Sequence, residues 1–285
     1  MRGQDLADSR IRLKSGMGSA LFTATIVAPL TDLQSAPGRD RTPETQLAHG
    51  WHFRVHDRDA DWAYGLALNP LDPARPDYAG WVREAHMVER CITPTHRVTV
   101  LRTPVFSRPD IKSPIRQFLP LAARVTERGG AVGNGGGFLQ LGGGGFVTCR
   151  HVSPLDREWA HEPADIAETF QGLPYVWGGN GPDGMDCSGL VKLSIEATGL
   201  PCPRDADQQE AALGEPFRPD SALMNLRRGD LVFWPGHVGI MQTSGRLLHA
   251  NAHHMQVATE PLREAVERIG AIRTARRLTI PKQSL

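Results

Sequence analysis

The sequence predicts an α+β domain with an antiparallel sheet at its C-terminal end, preceded by two small β barrels. Three observations carry this. Strand-length apolar runs separated by Pro, Gly and Asp clusters fill the first half of the chain. Two stretches with helical spacing of apolar residues follow, and strand-like runs then close the chain. Helices first and strands afterwards imply an α+β rather than a parallel arrangement. At 285 residues the chain exceeds a usual single domain, and the changes of pattern divide it into residues 1–90, 91–153 and 154–285.

The first barrel is expected from Leu21 to Val27, His52 to His56, Ala63 to Leu68 and Gly80 to Val82. The second begins at Arg97 to Leu101 and runs through Ala122 to Thr126 and the glycine-rich stretch Gly129 to Gly145, ending at Phe146 to Cys149. That stretch lacks the Lys-Ser/Thr ending of a phosphate loop and no helical pattern follows it, so it is expected to be a flexible hairpin. Helical spacing then covers Asp156 to Phe170, and a second helix is expected after Cys187. Asp230 to Trp234, His237 to Met241 and Arg246 to Ala250 read as strands, with a mixed tail from Gly270 to Ile280.

The formal charge is +1, which supplies none of the field that nucleic acid or an anionic membrane needs; neither is expected as a partner, and a small neutral or zwitterionic substrate fits better. The four cysteines, Cys91, Cys149, Cys187 and Cys202, are sparse and irregular, and are expected to be reduced thiols rather than a disulfide framework. The N-terminal MRGQDLADSRIRLK mixes charges without a secretory apolar stretch, and Ala20 to Leu30 is too short to span a bilayer. A cytoplasmic location is the expectation.

Gly184-Met-Asp-Cys187-Ser-Gly189 precedes a helical run, and Gly199 stands where a C-terminal cap belongs. Cys187 is therefore expected at a helix N-terminus, where free N–H groups and the positive dipole end favour a thiolate and could receive an oxyanion. Cys91, Cys149 and Cys202 lack that setting. His237 follows a Pro-Gly turn and opens a strand, which suits a general base. His249 on the next strand could orient it, or could be a buried histidine bonded to backbone.

Strand parity tests the pair. A two-residue turn at Ser244 and Gly245 would set position 240 opposite 249 and put the histidines on opposite faces. A three-residue loop, Thr243 to Gly245 with Gly245 left-handed, would pair 237 with 251 and place both on one face. His249, His253 and His254 suggest a metal cluster, but no cysteine or carboxylate has ligand spacing with them and HExxH is absent, so neither metal nor cofactor is expected.

Gly172-Leu-Pro-Tyr175-Val-Trp177-Gly-Gly179, Asp186-Cys187-Ser188-Gly189, Arg228-Gly-Asp230-Leu-Val-Phe233, His237-Val-Gly-Ile240 and Leu248-His249-Ala250 together resemble the NlpC/P60 papain-like peptidases over about residues 155–280. The resemblance implies a papain-like fold with a thiol protease triad of Cys187, His237 and His249, and Tyr175 beside the nucleophile. The N-terminal barrels resemble bacterial SH3 (SH3b) domains through pieces such as Asp77-Tyr78-Ala-Gly80-Trp81-Val82. The combination is similar to the γ-D-glutamyl-L-diamino acid endopeptidases of murein peptide recycling, the YkfC-like or dipeptidyl-peptidase VI group. That likeness implies cleavage after L-Ala-γ-D-Glu with a free N-terminal L-Ala. It also implies that Asp186, helped by Tyr78 and Glu44, holds the ammonium and that Ser188 and Asp205 contact D-Glu. The alternatives are an N-acetylmuramoyl-L-alanine amidase or acyltransferase on the same fold, or a wall-fragment binding protein without catalysis. Alternatively, Asp186 is a helix cap and Tyr78 a barrel core residue.

Overall fold

The computed structural model describes residues 8–38, 40–157, 159–160 and 162–279, so the first seven residues and the end of the expected tail at Ile280 lie outside it. The chain divides into two compact units that meet in sequence at 157/158.

In the first unit, alternation of buried and exposed residues builds small antiparallel sheets. One sheet orders the strands Pro76–Arg83, Trp62–Leu68, His52–Asp59, Phe22–Ile26 and Met87–Val88, with a separate hairpin of Leu30–Leu33 and Thr45–Ala48. Ala24, Ile26, Leu33, Trp51, Phe53, Val55 and Val82 fill its core. A second set comprises a five-stranded and a three-stranded sheet over His96–Val98 to Val152–Pro154, around Val98, Val105, Leu119, Leu139 and Val147. The glycine-rich stretch is a paired hairpin, Glu127–Gly133 against Gly136–Leu141, and its turn glycines Gly135 and Gly136 both have φ +106°, a left-handed backbone that side chains resist.

The second unit is the expected α+β domain. Helices α1 (Pro163–Glu168), α2 (Cys187–Glu196) and α3 (Ala206–Ala212) come first. Six strands and one more helix follow: β1 (Glu215–Phe217), β2 (Leu231–Trp234), β3 (His237–Met241), β4 (Arg246–Asn251), β5 (Gln256–Pro261), α4 (Leu262–Ile269) and β6 (Thr274–Arg277). They form one antiparallel sheet in the order β1-β6-β2-β3-β4-β5. The helix expected over Asp156 to Phe170 shrinks to α1, because Pro163 suits a first helical turn but could not donate within a longer helix. α4 packs Leu262 and Ala265 with Val232, Trp234, Met241 and Leu247 of the sheet. No helix among the described residues is long and apolar enough to cross a membrane.

The β3–β4 hairpin has the register that places the two histidines together. Ile240 faces Leu248 and Met241 faces Leu247, which sets 237 opposite 251 and leaves Thr243 to Gly245 as a three-residue loop. Residues 237, 239, 241, 247, 249 and 251 therefore share a face. The odd loop is as the parity argument requires, but Gly245 is not left-handed: its φ lies outside that region. The turn is closed instead by Gln242 N–H donating to the Arg246 carbonyl at 2.8 Å and by Gly245 N–H donating to Thr243 Oγ1 at 3.3 Å.

Candidate active site

Cys187 is the first residue of α2, with Asp186 as its N-cap. One Asp186 oxygen accepts the Gly189 N–H at 2.7 Å and the other accepts the Gly178 N–H at 3.0 Å. Asp186 is thus a helix cap, and it is more than that. Arg204, fully buried just ahead of α3, donates to both carboxylate oxygens, at 3.0 and 2.6 Å, and to Ser188 Oγ at 2.8 Å. The carboxylate expected to hold a substrate ammonium thus already faces a cation of its own. Sequence reasoning did not single out Arg204, whose only visible signal was its place beside Asp205.

The Cys187 sulfur is nearly enclosed, and the N–H groups of Val238 and Ser188 point at it. Val238 directly follows His237, so the sulfur sits at the start of β3. Burial, then the Asp186 carboxylate, push the thiol up to about 11, outweighing those N–H groups and Arg204. The thiolate expected from the helix terminus alone is therefore not the resting form. Tyr175 is half-buried nearby; burial, then the fields of Cys187 and Asp186, push its phenol up to about 12, so it stays a donor at neutral pH.

A line of hydrogen bonds starts at His237. His237 Nε2 lies 2.8 Å from His249 Nδ1, and His249 Nε2 lies 2.6 Å from Glu260 Oε1. Arg268 on α4 grips Glu260, with Nη1 donating to Oε2 at 2.8 Å and Nη2 to Oε1. His249 is completely buried yet bonded to side chains, so the alternative of a histidine satisfied by backbone does not describe it. Burial first, then the fields of His249 and Arg268, hold His237 down to about 4, and burial likewise brings His249 to about 4 despite Glu260. Burial works to raise Glu260, but the hydrogen bonds from Arg268 and His249 prevail and bring it down to about 2. Gly239 makes room for this line: a Cβ there would come within 3.1 Å of His249 Cβ and 2.6 Å of Leu247 Cδ1.

Of the other expected site residues, Ser188 joins the Arg204–Asp186 network, donating to Asp186 Oδ1 at 3.2 Å. Asp205 is the N-cap of α3, in a capping box with Gln208. In the first unit, Tyr78 is a core residue whose hydroxyl reaches Glu44 Oε2 at 3.5 Å, and both line one cleft with Arg12, Lys14 and Ser35. Cys91 and Cys149 are exposed and Cys202 is buried, all as free thiols. His249, His254 and Glu260 bring donor atoms within 4.8 Å of one another, so a carboxylate does join the histidines, contrary to the spacing argument. That carboxylate is occupied by Arg268 and His249, which leaves a cation little to bind.

A cysteine at a helix N-terminus, a histidine on the adjoining strand and a buried polar partner behind it, carried on an α+β scaffold, define a hydrolase of the cysteine-peptidase type with a papain-like fold. Comparison adds a particular likeness: residues 172–270 match the NlpC/P60 family model. It is 28% identical over 235 residues to a gamma-D-glutamyl-L-lysine dipeptidyl-peptidase of Bacillus subtilis, covering 74% of this chain and 73% of that one. It is 36% identical over 153 residues to a gamma-DL-glutamyl hydrolase of the same organism, covering 50% of this chain but only 35% of the relative. An NlpC/P60 family protein from Bacillus cereus shares the fold at a TM-score of 0.73 and 21% identity, covering 91% of this chain and all of the other.

Proposed function

We propose that the protein hydrolyses the bond between γ-D-Glu and a diamino acid in murein peptides that begin with a free L-Ala. The observation that carries the chemistry is the line from His237 through His249 to Glu260, together with the N–H of Val238, next in sequence to His237, that points at the Cys187 sulfur. In this reading the Cys187 proton passes to His237 as the sulfur attacks the γ-carbonyl carbon. The Gly189 N–H is committed to Asp186, so the oxyanion falls to the N–H groups ahead of it in α2. The C–N bond breaks as His237 returns the proton to the leaving amine. Water, deprotonated by His237, then cleaves the thioester, releasing L-Ala-γ-D-Glu and the thiol.

The substrate reading is supported by similarity to the B. subtilis dipeptidyl-peptidase over most of both chains. Tyr175, Ser188 and Asp205 are assigned to the peptide, and Asp186 to its ammonium. We read the two sets of strands in that unit as SH3-like barrels, which their separate small cores suit. A cytoplasmic location belongs to the same proposal and fits the free thiols.

The test is incubation with L-Ala-γ-D-Glu-diamino acid peptide and its N-acetylated form, with products identified by mass. Because Arg204 already partners Asp186, loss of the ammonium leaves no orphaned charge, and acetylation should lower kcat/KM by about tenfold or more through bulk and lost attraction. Equal cleavage of both would sink the recycling assignment. Release of L-Ala from a muramoyl group instead would make the enzyme an amidase.

A further inference from the structure

We propose that Glu260 is a positioning residue that fixes the tautomers of both histidines, so that the His237 nitrogen facing the thiol is the one without a proton. The inference rests on the reading of Cys187 and His237 as nucleophile and base. His249 faces Ala258 across β4 and β5, so Glu260, two residues on, is its diagonal neighbour on the same side of the sheet.

An ionised carboxylate can only accept. Glu260 stays ionised, held by two Arg268 donors on α4. At 2.6 Å from it, His249 Nε2 must therefore carry the hydrogen, and a neutral imidazole then has Nδ1 bare. That bare nitrogen, 2.8 Å from His237 Nε2, can only accept, so His237 carries its own hydrogen on Nε2. His237 Nδ1 is left bare to take the thiol proton. Once it has, Nε2–H still donates to His249 and nothing needs to turn. Without the carboxylate, His249 is free to hold its proton on Nδ1. His237 would then have to accept through Nε2 and present Nδ1–H to the sulfur, a tautomer that cannot act as base. His254 does not compete for Glu260, because its ring bonds Asn251 Oδ1 at 3.0 Å.

The experiment records long-range ¹H–¹⁵N spectra of histidine-labelled full-length protein at neutral pH, with kcat/KM on the tripeptide measured alongside. Wild type should show both His237 and His249 as single Nε2–H tautomers; an Nδ1–H signal for His237 overturns the proposal with no variant needed. Glu260→Ala should mix the tautomers and lower kcat/KM about ten- to hundredfold, mostly through kcat. Glu260→Gln, whose carbonyl can still accept from His249, should keep them and stay within about threefold. Unchanged tautomers in the alanine variant, or scrambled ones in the glutamine variant, overturn it. The spectra need no substrate, so a peptide that is not cleaved would sink the functional reading and leave this one standing.

Discussion

Burial acts in opposite directions on the two reacting groups, raising the Cys187 thiol to about 11 and lowering His237 to about 4. They rest as thiol and neutral imidazole, and the proton crosses during attack rather than before it. Alkylation by uncharged iodoacetamide reports this directly. The rate at Cys187, followed by peptide mapping because the exposed Cys91 and Cys149 react as well, should rise about tenfold per pH unit from pH 6 to 9. A rate that is flat across that range would mean a preformed ion pair. Cys187→Ala should abolish hydrolysis and keep the fold, whereas Cys202→Ala, whose buried thiol donates to the Pro203 carbonyl, should leave activity nearly intact. Cys187, His237 and His249 were legible because each stands at a punctuated element end or in a strand with readable parity. Arg204 and Glu260 were not, since their function lies in what they touch across the fold, and single positions in mixed sequence carry no trace of that.

At the scale of elements, the β3–β4 register was legible from loop arithmetic, and the structure has it through a turn of different conformation. β5 and α4 were missed. Gln256–Pro261 shows no clean alternation, and α4 spans about two turns without a side-chain cap. Yet these two elements supply Glu260 and Arg268. The hairpin's tightest point is Gly239. Gly239→Ala should cost about 1–3 kcal/mol in stability and lower kcat more than tenfold, because the new methyl meets both Leu247 and His249. Thermal unfolding and steady-state kinetics check the two parts; a variant with wild-type kcat would show that His249 does not need its present position.

For the whole molecule, two compact units with separate cores predict two unfolding transitions rather than one. The second unit holds His237 and His249, both lowered to about 4, while His49 and His86 of the first unit are also lowered by burial. A base whose folded pKa is depressed binds its proton more readily when unfolded, so acidification from about 6.5 toward 4 destabilises the unit carrying His237 and His249. Glu260 adds a further loss as pH falls from about 4.5 toward 2. Calorimetry at pH 7 and pH 5 should show both transitions moving down, the larger movement belonging to the one that proteolysis assigns to residues beyond 158. Parallel movement of both would contradict this account.

The loop from Thr243 to Gly245 lies at the end of the hairpin remote from His237, and its tip is exposed. A scan of single replacements there should record broad tolerance. Deleting or inserting one residue is a different perturbation. It leaves the chemistry of every other side chain untouched and preserves a hairpin, but it turns β4 over relative to β3 and carries His249 to the wrong side of the sheet. The count of residues in this stretch, rather than their identity, is what the active site reads, so length variants should be inactive where point variants are silent.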